Sequence, residues 1–247
     1  MSTPFARTFA TAGRVLAQLR HDPRTVALMI FVPCLLETLL RLIYTHRRLA
    51  FDHAGAPLLA IFPLITVFLV TSIALLRERT SGTLERLLAT PLGRLELLIG
   101  YALAFGLLAI AQAVIASALT LGPLGLHVRG GAVLVVVLAV AVALLGMGLG
   151  LLASAFARSE FQVVQFLPAM ILPQLLLCGL LVPRAQMPAA LHTISDLLPM
   201  SYAVDGMKHL TNSYTASAAV WGDIAIVLAF AAAALMLGAG TLRRRTP

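Results

Sequence analysis

Residues 77–101 read RERTSGTLERLLATPLGRLELLIGY, from Arg77 to Tyr101, and form the only long charged segment between two strongly apolar runs. Four arginines, Arg77, Arg79, Arg86 and Arg94, are mixed with three glutamates, Glu78, Glu85 and Glu96, among leucines. Gly82 breaks the incoming helix and Pro91 stops the one that follows. Between them, Thr83 to Ala89 is predicted as a short helix. Leu84, Leu87 and Leu88 fall at i, i+3 and i+4 and share one face, while Glu85 and Arg86 point elsewhere. Such a helix lies along a membrane surface with its polar side offered to something in water.

Composition supports a membrane setting on both sides of this segment. The chain is 60% hydrophobic and only 11% charged, so an integral membrane protein is expected and a soluble fold is excluded. The net charge of +8 does not point to nucleic acid, because the basic residues stand at the ends of apolar runs, where they set orientation. The two cysteines, Cys34 and Cys178, lie inside apolar runs without metal-site spacing and are read as small packing residues.

An apolar helix needs about 20 residues, at roughly 1.5 Å each, to cross a hydrocarbon core of about 30 Å. Six runs meet or approach this length: Thr25 to Tyr44, Pro57 to Leu76, Leu97 to Leu121, Gly130 to Ala157, Phe161 to Val182 and Val220 to Leu242. The fold class is therefore all-α, with six transmembrane helices in one membrane domain, residues 25–247. Ahead of it, residues 1–24 read as an interfacial amphipathic helix and not as a signal peptide. Phe5, Phe9, Ala12, Leu16 and Leu19 make its apolar stripe, and Arg7, Thr11, Arg14 and Gln18 its polar one. Asp22-Pro23 ends it.

With the N-terminus inside, twelve basic residues lie on the cytoplasmic side, Arg243 to Arg245 among them, and five lie outside. Both termini are therefore expected to be cytoplasmic. On the outer side, residues 183–217 are too polar to span and too patterned for a plain loop. Leu191, Ile194, Leu197 and Leu198 repeat at helical spacing between Pro188 and Pro199. Two short helices dipping into the outer leaflet are expected, with their turn at Pro199 to Ser201. Irregular backbone at that depth must be covered by protein or face a wet cavity, which makes this segment a roof over a substrate path.

Within the spans, Glu37 and Arg41 stand one turn apart and either pair, each easing the other's insertion cost of about 2.5 to 3.5 kcal/mol, or separate, with Arg41 snorkelling outward and Glu37 left to face the path or bond another helix. Gln162, Gln165 and Gln174 in the fifth span either line a path or hydrogen-bond neighbouring helices. Gly146, Gly148 and Gly150 offer a close-packing face, within the subunit or toward a second one. No phosphate-binding loop, zinc-protease helix, C-x-x-C pair or serine elbow is present in the sequence. Nothing assembles a catalytic site.

The run from Arg77 to Glu96 resembles the loop after the second span of ABC-2 type (type-2) ABC transporter permeases, whose pattern is roughly E-R-E-x-x-G-T-L-E-x-L-x-x-T-P-x-x-R-x-E. A second stretch, Cys178 to Lys208, is similar to the family's P-x-x-x-M-P-x-x-L followed by P-x-x-Y-x-x-D-x-x-R. Pro183, Met187, Pro188, Leu191, Pro199, Tyr202, Asp205 and Lys208 stand at its positions. Lys208 departs from the usual arginine and cannot reproduce its bidentate geometry.

The resemblance implies a plasma-membrane half-permease working with a second permease, identical or paralogous, and with two cytoplasmic ATPase subunits. ATP and Mg would sit on those subunits, with no cofactor on this chain. Gly82, Thr83, Leu84, Glu85, Arg86 and Pro91 would form the contact through which ATP-driven closure is felt. The cargo implied is a drug or lipid, and membrane lipids are expected neighbours. Two other classes stand beside it. An ion-coupled secondary transporter would need buried ionisable groups, for which only Glu37 and Arg41 qualify, and a membrane-embedded enzyme would need a catalytic constellation.

Overall fold

The computed structural model describes residues 4–89, 93–214 and 218–241, and these are helical with no strand. Pro91, residues 215–217, Leu242 and Arg243 to Arg245 lie outside the described residues, as do the side chains of Glu85, Leu88 and Arg94. Helix α1 spans Pro4–His21, α2 Pro23–Ile43, α3 Arg48–Thr80, α4 Thr83–Ala89 and α5 Arg94–Leu121. Then come α6 Ala132–Ala153, α7 Glu160–Leu177, a 3-10 turn Arg184–Gln186, α8 Ala189–Asp196, α9 Pro199–Asn212 and α10 Ala218–Thr241. Six of them, α2, α3, α5, α6, α7 and α10, are long and apolar enough to cross a membrane.

Helix α6 is the axis of the bundle, with α3, α5, α9 and α10 packed around it. It carries no charged residue, and its span has the highest mean hydropathy of the six, 2.9. Lipid is as apolar as a leucine side chain, so helices in a bilayer gain little from burial as such and depend on close backbone approach. Glycines supply that approach here. A Cβ on Gly146 would lie 2.5 Å from the Leu64 carbonyl oxygen, and one on Gly150 2.6 Å from that of Phe68. Gly148, on the opposite face, would meet the Ala231 oxygen at 2.9 Å. The glycine face is thus spent within the subunit, two positions on α3 and one on α10. A hydrogen bond from Gln112 Nε2 to Thr66 Oγ1, 2.5 Å, joins α5 to α3 as well.

Helix α1 packs mainly on α5, and of the expected apolar stripe Ala12, Leu16 and Leu19 face the core while Phe5 and Phe9 do not. Thr8, Thr11, Ala12 and Val15 are buried, whereas Phe5 and Phe9 are 78% and 65% exposed. The reason is steric and polar together. Gly100 of α5 makes a notch in which a Cβ would sit 2.7 Å from Thr11 Cβ and 3.0 Å from the Thr8 carbonyl oxygen, room for threonine but not for phenylalanine. Arg14, from the expected polar stripe, turns inward to partners on α3 and α5. Asp22 then caps α2 by accepting from the Thr25 hydroxyl at 2.6 Å and the Thr25 N–H at 3.3 Å, with Pro23 opening the helix. These hydrogen bonds hold the Asp22 carboxyl below the usual carboxylate range.

Several span limits move. The second span runs from Arg48 to Thr80 instead of Pro57 to Leu76, because Phe51, Gly55 and Ala56 ahead of Pro57 are themselves buried. The fourth is shorter than Gly130 to Ala157: Gly131 has φ +98°, and the helix closes at Ser154, whose hydroxyl donates to the Leu151 carbonyl. The fifth stops at Leu177 instead of Val182, since Gly179 takes φ +84° and turns the chain out of the helix. The turn between the two short helices falls at Leu197–Leu198 and not at Pro199 to Ser201. Proline needs no N–H at the first helical position, so Pro199 begins α9.

Candidate functional site

Three places in the fold hold the residues singled out above: the α4 hairpin, the segment between α7 and α10, and the interior of α2 and α7.

At the hairpin, Gly82 has φ +72° with open space where a Cβ would be, so backbone conformation alone demands glycine there. Ser81 and Gly82 close the end of α3 by donating to the Arg77 and Arg79 carbonyls at 2.9 and 3.4 Å. The Thr83 hydroxyl lies 2.9 Å from that of Ser81. In α4, Leu84 is 6% exposed, Leu87 packs beside it against the core, and Arg86 is exposed. Glu96 accepts from the Gly93 N–H at 3.2 Å and so starts α5. Arg79 keeps Nε and one terminal nitrogen buried without a partner among the described residues.

Two ion pairs brace this end. Arg14 reaches both oxygens of Glu78, at 2.9 and 3.1 Å, and also the Tyr101 hydroxyl at 2.7 Å, while that hydroxyl donates to Glu78. Tyr101 is 1% exposed, so the cluster ties α1, α3 and α5 together inside the protein. Arg77 holds Glu160 at the start of α7 through 2.7 and 3.2 Å bonds. The two side chains are 61% and 50% exposed, and such a pair contributes about 0–1 kcal/mol. Sequence reasoning passed over Arg14 and Tyr101. Arg14 looked like one residue of a polar stripe, and Tyr101 like an ordinary member of the apolar run from Leu97 to Leu121.

At the opposite end, Arg184 organises the segment that precedes α10. Its two terminal nitrogens bond Asp205 of α9 and Asp196 of α8, and its plane lies over the Tyr202 ring at 5.8 Å from the centroid. The Tyr202 hydroxyl donates to the Asp196 carbonyl at 2.7 Å. Asp205 thus pairs with Arg184, and Lys208 instead donates to the carbonyl of Gly179 at the bend after α7. Pro183 and Met187 flank the 3-10 turn, and Pro188 immediately precedes α8. The aspartate, the tyrosine and the lysine come together; the prolines mark the corners. Arg184 went unremarked because a lone arginine beside a proline carries no spacing signal.

Inside the spans Glu37 and Arg41 separate and form no ion pair. Arg41 donates from Nε to the Leu124 carbonyl at 2.9 Å and from a terminal nitrogen to that of Tyr44 at 3.4 Å, with its plane 5.4 Å from the Phe51 ring centroid. Glu37 is 0% exposed, and neither of its oxygens has a hydrogen-bond partner among the described residues. Arg41 turns toward the end of its helix, where carbonyls at a chain turn are free to accept, and leaves Glu37 behind. Of the three glutamines, Gln162 accepts from the Arg158 N–H at 2.8 Å, and Gln174 donates to the Met170 carbonyl at 2.9 Å. Only Gln165 stands on an exposed face of α7.

A family model described as ABC-2 type transporter matches residues 7–211. The chain is 28% identical over 167 residues to the probable multidrug ABC transporter permease YbhR of Escherichia coli K12, covering 68% of this chain and 45% of that protein. It is 27% identical over 143 residues to the probable multidrug ABC transporter permease YbhS of the same strain, covering 58% of this chain and 38% of that protein. The chain spans less than half the length of these curated relatives.

Proposed function

We propose, from the premise that this chain belongs to the ABC-2 type transporter family, that it is the membrane permease subunit of an ATP-driven exporter. Separate ATP-binding subunits hydrolyse ATP on the side where α4 lies, and both termini face that side. A second permease, identical or paralogous, completes the path. The cargo is hydrophobic or amphipathic, in keeping with spans that offer few polar groups and with relatives named as multidrug permeases.

One observation carries this reading: a short helix set off by Gly82 between two long spans, its Leu84 and Leu87 turned into the protein and its Arg86 left out. Such an element is rigid against its own subunit and open to a partner. Displacement of α4 would pass into α3 through the Ser81–Gly82 turn, and into α1 and α5 through Arg14, Glu78 and Tyr101.

The test is co-expression with an ATP-binding cassette subunit, followed by purification and reconstitution. A stable complex that moves a lipophilic dye on ATP addition is expected. Dye movement that follows an imposed proton gradient and ignores ATP would instead favour ion-coupled transport, the reading to which the buried carboxyl of Glu37 lends itself.

A further inference from the structure

At the end of α3 remote from α4, a recess of about 640 Å³ opens between three chain segments: the first turns of α3, the loop between α5 and α6, and the chain just after α9. Its walls are fixed by backbone. In the loop, Gly125 takes φ +69°, Leu126 is 4% exposed and donates its N–H to the Thr120 carbonyl at 3.0 Å. The N–H groups of Arg129 and Gly130 both donate to the Leu210 carbonyl, at 3.0 and 2.8 Å. Asp52 of α3 accepts from the His127 N–H at 3.0 Å, which joins the loop to α3 and turns the carboxylate toward that bond.

Two guanidinium groups then face the recess against this one carboxylate. Arg129 lies 5.2 Å from the Tyr214 ring centroid and uses one nitrogen on the Asn212 carbonyl at 3.4 Å, leaving its other N–H groups for a ligand. The Arg48 side chain forms no hydrogen bond, ion pair or ring contact among the described residues, although it stands in the wall of this recess. The surroundings give the depth. Leu49 and Tyr214 in its wall are 74% and 80% exposed, and Trp221 in the first turn of α10 is 55% exposed. Apolar residues meeting an aromatic girdle mark the level of lipid headgroups.

We propose that this recess binds a phosphate group through Arg48 and Arg129, and that the phosphate is the headgroup of an anionic membrane lipid whose chains lie along the exposed Leu49. Guanidinium matches phosphate oxygens with paired, charge-assisted hydrogen bonds. The preference for an anionic over a choline headgroup follows from the same charges, which repel a quaternary ammonium.

The full chain, purified in detergent and stripped of lipid, is titrated by native mass spectrometry with phosphatidylglycerol and separately with phosphatidylcholine. One saturable phosphatidylglycerol site is expected, weakened roughly tenfold by Arg48→Gln and lost in Arg48→Gln with Arg129→Gln, since each charge-assisted contact contributes on that scale. Arg20→Gln with Arg24→Gln, toward the other end, should leave that site intact. Competition with inorganic phosphate separates the sources: displacement at equal concentration identifies the phosphate alone as sufficient, and resistance identifies the lipid. Equal binding of the two lipids, or a site that survives Arg48→Glu, overturns the assignment. That last variant replaces a side chain without a hydrogen bond or ion pair among the described residues, and a melting temperature equal to that of the parent protein shows that the fold is kept.

Discussion

The Arg14 guanidinium spans both carboxylate oxygens of Glu78, at 2.9 and 3.1 Å, across 64 residues of sequence. Glu78 is also the acceptor of the buried Tyr101 hydroxyl, so three helices meet on one carboxylate. The Glu78 side chain is 12% exposed and that of Arg14 30%, so the pair is only partly screened by solvent. Removing one member strands the other, and Glu78→Gln should cost about 1–3 kcal/mol of stability. Arg14→Gln combined with Glu78→Gln should be milder than the sum of the two changes. Thermal unfolding of the purified variants measures this, and strict additivity would show that the pair contributes nothing as a pair.

The glycines of α6 and α10 divide into two classes with opposite predictions. Gly146 and Gly150 have no room for a Cβ against α3, and alanine at either should destabilise by about 1–3 kcal/mol through overpacking. Gly240 in α10 has nothing within 4 Å of a Cβ. Alanine there should be neutral or stabilising by up to about 1 kcal/mol, the usual helical preference over glycine. Melting temperatures of the three variants decide the matter. A harmless Gly146→Ala would remove the proposed backbone contact with Leu64.

What the sequence made legible follows from the range of each signal. The six spans depend on local composition and the α4 hairpin on a seven-residue pattern between Gly82 and Pro91, so both could be read directly. The inward turn of Thr8, Thr11 and Arg14 on α1 could not, because it is set by Gly100, some ninety residues away, and by where Glu78 happens to stand. The choice between pairing and separation of Glu37 and Arg41 stayed open for a related reason. Helical spacing brings two side chains within reach of each other, but it carries no information about a competing carbonyl at Leu124. Arg184 was hidden the same way, its two carboxylates lying on separate later helices.

Because Glu37 and Arg41 share no partner, their substitutions should combine additively, within about 0.5 kcal/mol. Glu37→Gln should be tolerated or stabilising, since a buried carboxylate with no hydrogen bond among the described residues is a cost that the neutral amide reduces. Arg41→Gln should destabilise, because the Leu124 carbonyl loses its donor. Unfolding of the single and double variants in detergent is the measurement. A large loss in Glu37→Gln alone would mean that the carboxylate acts in the assembled transporter or binds an ion.

The α4 hairpin carries the heaviest prediction, because work done in water reaches a membrane path only through an element stiff enough to pass displacement on. Leu84 and Leu87 fix α4 to its own subunit, so substitutions there should disturb folding. Glu85 falls outside the i, i+3, i+4 spacing of Leu84, Leu87 and Leu88 in the sequence and is the position to change. If Glu85 meets an ATP-binding subunit, Glu85→Ala should preserve insertion and permease pairing yet lose substrate-stimulated ATP hydrolysis or assembly. Truncating a buried charged contact costs about 2–5 kcal/mol. If the residue only meets water, the same change is worth about 0–1 kcal/mol and transport continues. Gly82→Ala tests the geometry separately from the charge. Its φ of +72° is strained for alanine by roughly 1–2 kcal/mol, so the variant should re-aim α4 and weaken coupling while Glu85 remains. Transport and ATPase activity of the reconstituted complex, at matched permease levels and with Arg94→Ala as a control beyond the helix, separate these outcomes. Full coupling in both the Glu85 and Gly82 variants would move the contact away from α4.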